Sequence, residues 1–189
     1  MVTDKNGNRY FQNIHSQNSN LGSNMVRHIL FDARGRMWVA TGFGLYMREN
    51  PRKGDFYSFF YNPDNPNSLS YNDVIHILQD SDKELWFGTL GGGLNQLQIM
   101  NDSVAKFKRF NSSNGLSNDV VLAILEDNNG KLWISTENGL NRYNKTTGTI
   151  EVFNTNNGLS FNMFMESTCL KCQNGTMLFG GYKGIEALN

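Results

Sequence analysis

Apolar and polar positions alternate along this chain in short runs, and the same run recurs. The segment "KLWIST" alternates a large tryptophan with a small serine two positions later, which is typical of a strand with one face in a core. Segments of the same form are "RMWVAT", "ELWFGT" and "TMLFGG". An apolar run such as "VVLAILE" and a polar turn precede each of them. The pattern predicts short β-strands throughout and no amphipathic helix.

The turns between these strands also repeat. "DARG" and "DNNG" place Asp first and Gly fourth, which suits a type I turn followed by a left-handed residue. In "DSDK", Lys83 takes the glycine position, where a residue with a side chain costs about 1–2 kcal/mol. The recurring aspartates Asp32, Asp80 and Asp127 are therefore expected to have a structural role, capping the turns.

The whole unit repeats at a nearly constant period. Trp38, Trp86 and Trp133 are 48 and 47 residues apart, and Leu178 takes the place of the tryptophan 45 residues later. Such periods belong to β-propellers, whose blades are four-stranded sheets. The alternative, a β-sandwich, does not require this repetition. We predict an all-β propeller of about four blades, each of four antiparallel strands, with the three indoles buried at corresponding sites between blades.

The order of strands within the repeat gives the expected organisation of the chain. Residues 1–20 are predicted to be the outer strand of a preceding blade, and residues 158–189 an incomplete last blade. The three complete blade repeats are predicted at residues 21–67, 68–114 and 115–157.

Composition excludes several classes of function for this segment. Lys plus Arg and Asp plus Glu each number 17, so no basic surplus is present to neutralise a nucleic-acid backbone. No apolar run approaches the roughly 20 residues that cross a bilayer, so no membrane contact is expected. Cys169 and Cys172 form a lone C-x-x-C, which is half of a tetrahedral zinc site and has no second half. Their redox state is left open.

Few residues suggest chemistry. His28 and His76 occupy equivalent positions in the first strands of two repeats, where the third repeat has Ala123. They either face a ligand or ion in the central channel or, as we favour, are strand residues with local hydrogen bonds. No flanking carboxylate supports a metal site. "TLGGGL" and "TGFGL" lack the helix and lysine of a phosphate loop. We expect no catalytic residue, no metal and no cofactor.

One run of the sequence, "GLSNDVVLAILEDNNGKLWISTENGLNRYNKTTGTIEVF", resembles the two-component regulator propeller repeat. The resemblance covers nearly all of residues 21–189; the fourth repeat departs from it with Leu178 for Trp, Gly181 for Thr and two extra residues before its turn. It implies part of a larger seven-bladed propeller from a hybrid two-component receptor (sensor histidine kinase/response regulator) of gut Bacteroidetes. By this resemblance the segment is the periplasmic portion of an inner-membrane protein, and kinase activity lies outside this chain.

The resemblance also implies a ligand, an oligosaccharide derived from a glycan and sensed for transcriptional control. In propellers, the loops from outer to inner strands and from second to third strands share one face, which commonly holds the ligand. Aromatic, amide and charged side chains there suit sugars, although each one singly also fits a solvated turn. The expected ligand-binding residues are Phe43, Tyr71, Asn72, Asp119, Glu137, Asn138, Phe161, Asn162, Tyr182 and Lys183.

Two other functions and one assembly are compatible with the sequence. A streptogramin-lyase-like propeller enzyme needs a histidine on the ligand face, and a generic protein-interaction scaffold needs no particular residue. Self-association is expected, either as a head-to-tail dimer or as a dimer of the parent receptor. In the head-to-tail dimer, the segment Arg9–Ile14 would form the outer strand of the partner's last blade.

Overall fold

The computed structural model describes residues 2–3, 6–101 and 104–188, and their regular structure is almost entirely β-strand. The strands are β1 Val2–Thr3, β2 Arg9–Tyr10, β3 Val26–Phe31, β4 Met37–Thr41, β5 Gly44–Arg48, β6 Tyr57–Phe59, β7 Val74–Gln79, β8 Leu85–Thr89, β9 Leu94–Asn101, β10 Val104–Phe110, β11 Val121–Glu126, β12 Leu132–Thr136, β13 Gly139–Asn144, β14 Thr149–Phe153, β15 Phe164–Lys171, β16 Met177–Gly181 and β17 Gly184–Leu188. Two 3₁₀ turns, Ser112–Asn114 and Thr155–Asn157, complete the regular elements of this part of the chain. Within the described ranges, helices that could cross a membrane are absent.

Strands β3 to β17 form four antiparallel sheets, each made of strands that follow one another in sequence. The first three sheets have the orders β3-β4-β5-β6, β7-β8-β9-β10 and β11-β12-β13-β14, and the last, within the described residues, has the order β15-β16-β17. We name them blades 1 to 4. Successive first strands are neighbours, so the blades are arranged around a common axis. The predicted all-β propeller is confirmed.

The N-terminal strands stand apart from the blades. Strands β1 and β2 pair with each other in a sheet of two strands. Of the segment Arg9–Ile14, only Arg9–Tyr10 is strand, so the strand is shorter than the sequence suggested. An outer strand is held by the third strand of its blade, and β2 has no such neighbour among the described residues. The assignment of residues 1–20 to a preceding blade stays a prediction.

The cores lie between successive blades and are centred on the tryptophans. Trp38, Trp86 and Trp133 are 0%, 1% and 8% exposed, which confirms their predicted burial. Trp38 contacts Phe87 of blade 2 with ring centroids 5.4 Å apart, and Trp86 contacts Tyr143 of blade 3 at 5.8 Å. Each indole therefore joins its own blade to the next one.

A small residue two positions after each tryptophan lets the next blade approach. These residues are Ala40, Gly88 and Ser135. A Cβ atom added to Gly88 would lie 2.7 Å from Cγ1 of Val121 and 2.9 Å from its backbone oxygen. The first strand of blade 3 thus lies directly against β8, and a larger residue at this position would push the two blades apart.

The turn that leads into the second strand has the predicted conformation in all four blades. Gly35, Gly130 and Gly175 have φ angles of 78°, 74° and 93°. Lys83 takes the same left-handed conformation, with φ of 69°. Its carbonyl oxygen accepts a hydrogen bond of 3.1 Å from the side-chain amide of Gln79, so a neighbouring contact stabilises the strained turn.

Each turn aspartate also binds the tryptophan six residues later. One carboxylate oxygen of Asp32 accepts two backbone N–H groups of its turn, and the other accepts the indole N–H of Trp38 at 2.9 Å. The same indole bond joins Asp80 to Trp86 and Asp127 to Trp133. The sequence predicted the capping role of the aspartates but not this second bond.

Blade 4 lacks both partners of the bond. Cys172 stands at the aspartate position and Leu178 at the tryptophan position, again six residues apart. The folded chain loses stability when a buried carboxylate has no hydrogen-bond donor, and the same holds for a buried indole N–H that has no acceptor. The joint replacement of both residues in the fourth repeat therefore has a physical reason.

Candidate ligand face and central channel

Two kinds of loop meet at one end of the blades, as the sequence predicted. The turn between the second and third strands of one blade donates a glycine N–H to the loop that enters the next blade. These bonds join Gly44 to Asn72, Gly93 to Asp119 and Gly139 to Asn162, with N–O distances of 2.6, 2.7 and 2.8 Å. At Gly93 a Cβ atom would lie 2.0 Å from the backbone oxygen of Phe110, so only glycine fits there. We name this end of the blades the ligand face.

Three expected ligand-binding residues hold these loops in shape. The side-chain oxygens of Asn72, Asp119 and Asn162 each accept a backbone N–H from the preceding outer loop, at 2.7, 2.6 and 2.9 Å. The three residues occupy equivalent positions and make equivalent bonds. Their observed role in this structure is therefore to order the loops of the ligand face.

The expected aromatic residues differ in accessibility. Phe43, Tyr71 and Tyr182 are 57%, 45% and 70% exposed, so their rings are open to stacking. Phe161 is only 4% exposed, and its ring lies 5.1 Å from that of Phe164 in the core. Gly181 replaces threonine here, and a Cβ atom on it would lie 2.1 Å from the ring of Phe161. Because Gly181 has no side chain, the ring of Phe161 fits into this space. The sequence analysis had placed this ring on the surface.

The remaining expected residues are polar and lie in the turns between second and third strands. Glu137, Asn138 and Lys183 are all exposed. The side-chain amide of Asn138 donates to the carbonyl oxygen of Ser117 at 3.4 Å. The ligand face therefore combines exposed rings with exposed polar groups, which is the composition that suits a sugar.

The central channel is bordered by the first strands and contains the two equivalent histidines. The rings of His28 and His76 are stacked, with centroids 4.4 Å apart. His28 Nδ1 accepts the backbone N–H of Ile77 at 2.9 Å, so its proton is on Nε2 when the ring is neutral. Burial lowers the pKa of His28. Burial, and secondly the nearby His28, lower the pKa of His76 to about 3, which leaves it neutral at physiological pH.

Cys169 completes this cluster, which the sequence did not predict. Its Sγ lies 3.6 Å from Nε2 of His76, whereas Nδ1 of His76 is buried without a hydrogen-bond partner in the structure. Burial raises the pKa of the Cys169 thiol to about 11, so it is protonated at neutral pH. Cys169 and Cys172 are both free thiols. A neutral thiol beside a neutral imidazole is a packed pair and lacks the ionised sulfur of a nucleophile.

An acidic cluster lies between blades 2 and 3. Across the described parts of the chain, Asp80, Asp82 and Glu126 form the single group of three side chains with the spacing of a metal site. The ammonium of Lys145 lies 2.8, 2.8 and 3.0 Å from their oxygens. Burial opposes its charge, and the hydrogen bonds to the three carboxylates outweigh burial and raise the pKa of Lys145. The lysine thus takes the position of a cation and ties the two blades together.

An ion-pair network joins blades 1, 2 and 4 near the ligand face. Arg27 binds Asp73 through two bonds of 2.7 and 2.8 Å, and its third contact is Glu166 at 2.7 Å. The hydrogen bond to Asp73 raises the pKa of Arg27. Asp73 directly follows the loop residue Asn72. The repeat pattern did not reveal these residues because they are not at equivalent positions.

Glu166 reaches the network because strand β15 bulges. The register of β15 on β16 shifts between Phe164 and Cys169, and Ser167 within the bulge has φ of 53°. The hydroxyl of Ser167 donates to the carbonyl oxygen of Ile75 in blade 2 at 3.3 Å. The two extra residues of the fourth repeat are accommodated in this bulge. The insertion was visible in the sequence, but the contact between Glu166 and Arg27 that it permits was not.

The fold and this face define a β-propeller with a loop-built candidate binding face. The two component regulator propeller family matches residues 20–43, 68–91 and 115–138. The family model thus matches one segment in each of the first three blades, and the predicted resemblance is confirmed. Proteins with curated functions give no sequence match.

Solved structures support the same class. The extracellular domain of BT3049 from B. thetaiotaomicron, named as a hybrid two component system, is 27% identical over 95% of this chain and 23% of its own, with a TM-score of 0.82. The extracellular domain of BT4673 from the same organism is 23% identical over 88% of this chain and 24% of its own, with a TM-score of 0.72. The chain thus spans about a quarter of their length. The likeness to BT3049 supports a sensor-propeller role, and the likeness to BT4673 supports the fold.

An enzyme also shares the fold. Virginiamycin B lyase from Staphylococcus aureus is 13% identical over 99% of this chain and 61% of its own, with a TM-score of 0.61. Identity at this level shows the propeller fold alone. In this chain His28 and His76 are stacked in the channel and not on the ligand face, where a lyase-like site needs its histidine.

Proposed function

We propose that this chain is a ligand-sensing propeller segment from the periplasmic part of a hybrid two-component receptor. The parent protein would span the inner membrane and carry the histidine kinase, and this segment would be non-catalytic. The observation that carries the proposal is the 27% identity over 95% of the chain with the extracellular domain of BT3049. The three matching repeats support the same class.

The proposed ligand is an oligosaccharide derived from a glycan. The exposed rings of Phe43, Tyr71 and Tyr182 offer apolar surfaces to the C–H faces of sugars. Glu137 and Lys183, exposed in the adjoining turns, offer hydrogen bonds to hydroxyl groups. Stacking surfaces together with polar groups at one face are what sugar binding requires.

The loops of this face are held in shape before any ligand arrives. Each turn glycine is bonded to the loop of the next blade, and the side chains of Asn72, Asp119 and Asn162 order those loops internally. A rigid face loses little conformational entropy on binding. It also transmits a contact at one loop to the neighbouring blade, which suits a sensor.

Thermal unfolding in the presence of an oligosaccharide panel tests the proposal. The panel contains defined fragments of plant and host polysaccharides, each titrated against the chain. A ligand present at 100 times its dissociation constant stabilises the folded state by about 2.7 kcal/mol and raises the melting temperature. Calorimetric titration then gives the affinity of each fragment that raises it.

Variants of the exposed rings locate the binding. We expect Tyr71→Ala and Tyr182→Ala to weaken binding at least about tenfold, because each removes a stacking surface. The control is Tyr57→Ala, an exposed tyrosine in the outer strand β6. If no fragment raises the melting temperature, or if Tyr57→Ala weakens binding as much as the other two, sugar sensing at this face is wrong.

A further inference from the structure

The junction of blades 1 and 2 and the junction of blades 2 and 3 share one contact at the end opposite the ligand face. The backbone N–H of Ala33, in the turn of blade 1, donates to the side-chain oxygen of Gln79 in blade 2 at 2.7 Å. The equivalent Ser81 of blade 2 donates to Glu126 of blade 3, also at 2.7 Å. The two junctions therefore place equivalent residues around equivalent grooves.

The groove between blades 2 and 3 is acidic. The side chains of Asp82 and Glu84 line it, and the carboxylate of Glu126 lies beside that of Asp82. The ammonium of Lys145 lies between these two carboxylates, 2.8 Å from Asp82 and 3.0 Å from Glu126. The chain thus supplies its own counter-ion at this junction.

The groove between blades 1 and 2 has the opposite charge, and we name it the basic groove. Three acidic positions of the neighbouring junction are basic or neutral here, namely Arg34 for Asp82, Arg36 for Glu84 and Gln79 for Glu126. The basic groove has a volume of about 430 Å³, and its lining includes Arg34, Arg36, Lys83 and Glu84. Both of its blades belong to this chain, so the groove is a complete feature of the structure.

The acidic residue in this lining is committed elsewhere. Among the described residues, Glu84 is the one acidic residue that lines the basic groove. Its carboxylate is hydrogen-bonded to the side chain of Gln96, which lines the acidic groove. The carboxylate is therefore directed toward blade 3, and three cations remain in the basic groove.

Arg36 is the buried cation of the basic groove, and its hydrogen bonds are incomplete. The residue is 8% exposed, and its Nε donates to Oδ2 of Asp32 at 2.7 Å. Nη1 contacts the sulfur of Met100 at 3.5 Å, which is a weak acceptor, and Nη2 has no acceptor among the described residues. A buried guanidinium without oxygen acceptors costs stability, and an anion with two oxygens can accept from both outer nitrogens.

Lys83 supplies an independent observation. It holds the left-handed conformation, with φ of 69°, that glycine adopts without strain at the same position of the other three blades. Strained residues of this kind persist at functional sites, where the rest of the structure compensates for the strain. The side chain of Lys83 lines the basic groove. The strained turn therefore adds a third cation to the groove, which a glycine would not do.

Gln79 holds the two turns of the basic groove together. Its side-chain oxygen accepts from Ala33 of blade 1, and its amide nitrogen donates to the carbonyl oxygen of Lys83 in blade 2 at 3.1 Å. An amide makes both bonds because it has an acceptor and a donor, whereas an ionised carboxylate only accepts. The turns that carry Arg34 and Lys83 are thus joined before a ligand binds, which lowers the entropy cost of binding.

We propose that the basic groove binds an oxyanion, which is sulfate, phosphate or a carboxylate group. Two oxygens of the anion accept the outer N–H groups of Arg36, and Arg34 and Lys83 neutralise its charge. The anion is then the counter-ion of this junction, as Lys145 is of the next one. Its source is either a free inorganic ion or the acidic group of a sugar, and the site is separate from the ligand face.

Calorimetric titration of the chain at low ionic strength measures the binding, because salt screens exposed charges. The probes are sodium sulfate, sodium phosphate and sodium glucuronate, and sodium chloride is the blank. We expect saturable binding of one anion per chain. Tighter binding of sulfate or phosphate identifies a free inorganic ion as the ligand, and tighter binding of glucuronate identifies an acidic sugar.

Variants of the two exposed cations locate the anion. Lys83→Gly and Arg34→Gln each weaken binding at least about tenfold, because each removes a positive charge from the groove. Lys83→Gly also raises the melting temperature of the chain without anion, because glycine relieves the left-handed strain. Both side chains are exposed, so the fold is kept, and circular dichroism verifies this. The control for a lost charge is Lys171→Ala, at an exposed position of blade 4, which leaves binding unchanged.

A higher melting temperature together with weaker binding in Lys83→Gly separates a ligand-binding role of this lysine from a structural one. Tyr71→Ala, on the ligand face, leaves the affinity for the anion unchanged, so this site and sugar binding are tested separately. Binding of all three anions no better than chloride overturns the proposal. Equal losses of binding in Lys171→Ala and Lys83→Gly overturn it as well.

Discussion

At the residue scale, hydrogen bonds to buried polar groups account for the repeated sequence. The tryptophan of each of the first three blades fills a junction, and the aspartate six residues before it accepts the indole N–H. A buried N–H without an acceptor costs about as much as a lost hydrogen bond, so the two residues are required together. Repeat 4, which has Cys172 and Leu178, shows that they are also replaced together.

The pairing of Asp127 with Trp133 gives a quantitative prediction. Asp127→Cys and Trp133→Leu each destabilise the chain, but the double variant costs about 0.5–3 kcal/mol less than the sum, because each single variant leaves a buried group without its partner. Urea unfolding of the four proteins measures the coupling. Asp64→Cys, at an exposed turn, is the control and shows no coupling with Trp133→Leu. Additive effects at Asp127 would disprove the pairing.

The lowered pKa of His76 in the central channel predicts that the free energy of unfolding depends on pH. The pKa of His76 is about 3 in the folded chain and 6.5 in the unfolded chain, so the unfolded state takes up the proton first as pH falls. Stability is therefore full above pH 6.5 and declines between pH 6.5 and about 3, by up to about 1.4 kcal/mol per pH unit.

Urea unfolding at several pH values measures this slope. His76→Ala, which introduces the residue of the equivalent position Ala123, reduces the slope, because the variant has no imidazole to protonate at this position. Thr149→Ala, at an exposed position with no titratable group, is the control and leaves the slope as it is. An unchanged slope in His76→Ala would show that this histidine is not the titrating group.

At the element scale, the distance between blades is set by the small residue opposite each tryptophan. Gly88→Val places two methyl groups where Val121 of the next blade already lies, so we expect a loss of about 1–3 kcal/mol of stability. Urea unfolding measures it. Thr149→Val, at an exposed strand position, is the control for adding a valine and changes stability by less than about 0.5 kcal/mol. Equal effects of the two substitutions would contradict the packing argument.

At the scale of the whole molecule, repetition makes the blade a unit that needs a neighbour. Each blade buries one face on the blade before it and one on the blade after it, so a blade is stable only beside its neighbours. Ile77 of blade 2 is 1% exposed at the junction with blade 1, and Leu94 of blade 2 is 1% exposed at the junction with blade 3.

The sequence by itself determined the strand order, the blade period, the turn conformations and the burial of the three tryptophans. These features are local or repeated, so turn chemistry and a fixed spacing reveal them, as the positive φ of Lys83 shows. The tertiary structure alone decided which side chains meet across blades. Arg27 binds Glu166 of blade 4, His76 lies beside Cys169, and Phe161 turns into the space left by Gly181. Such contacts join positions far apart in the chain and are not repeated, so no spacing reveals them; they depend on how the blades stack around the axis.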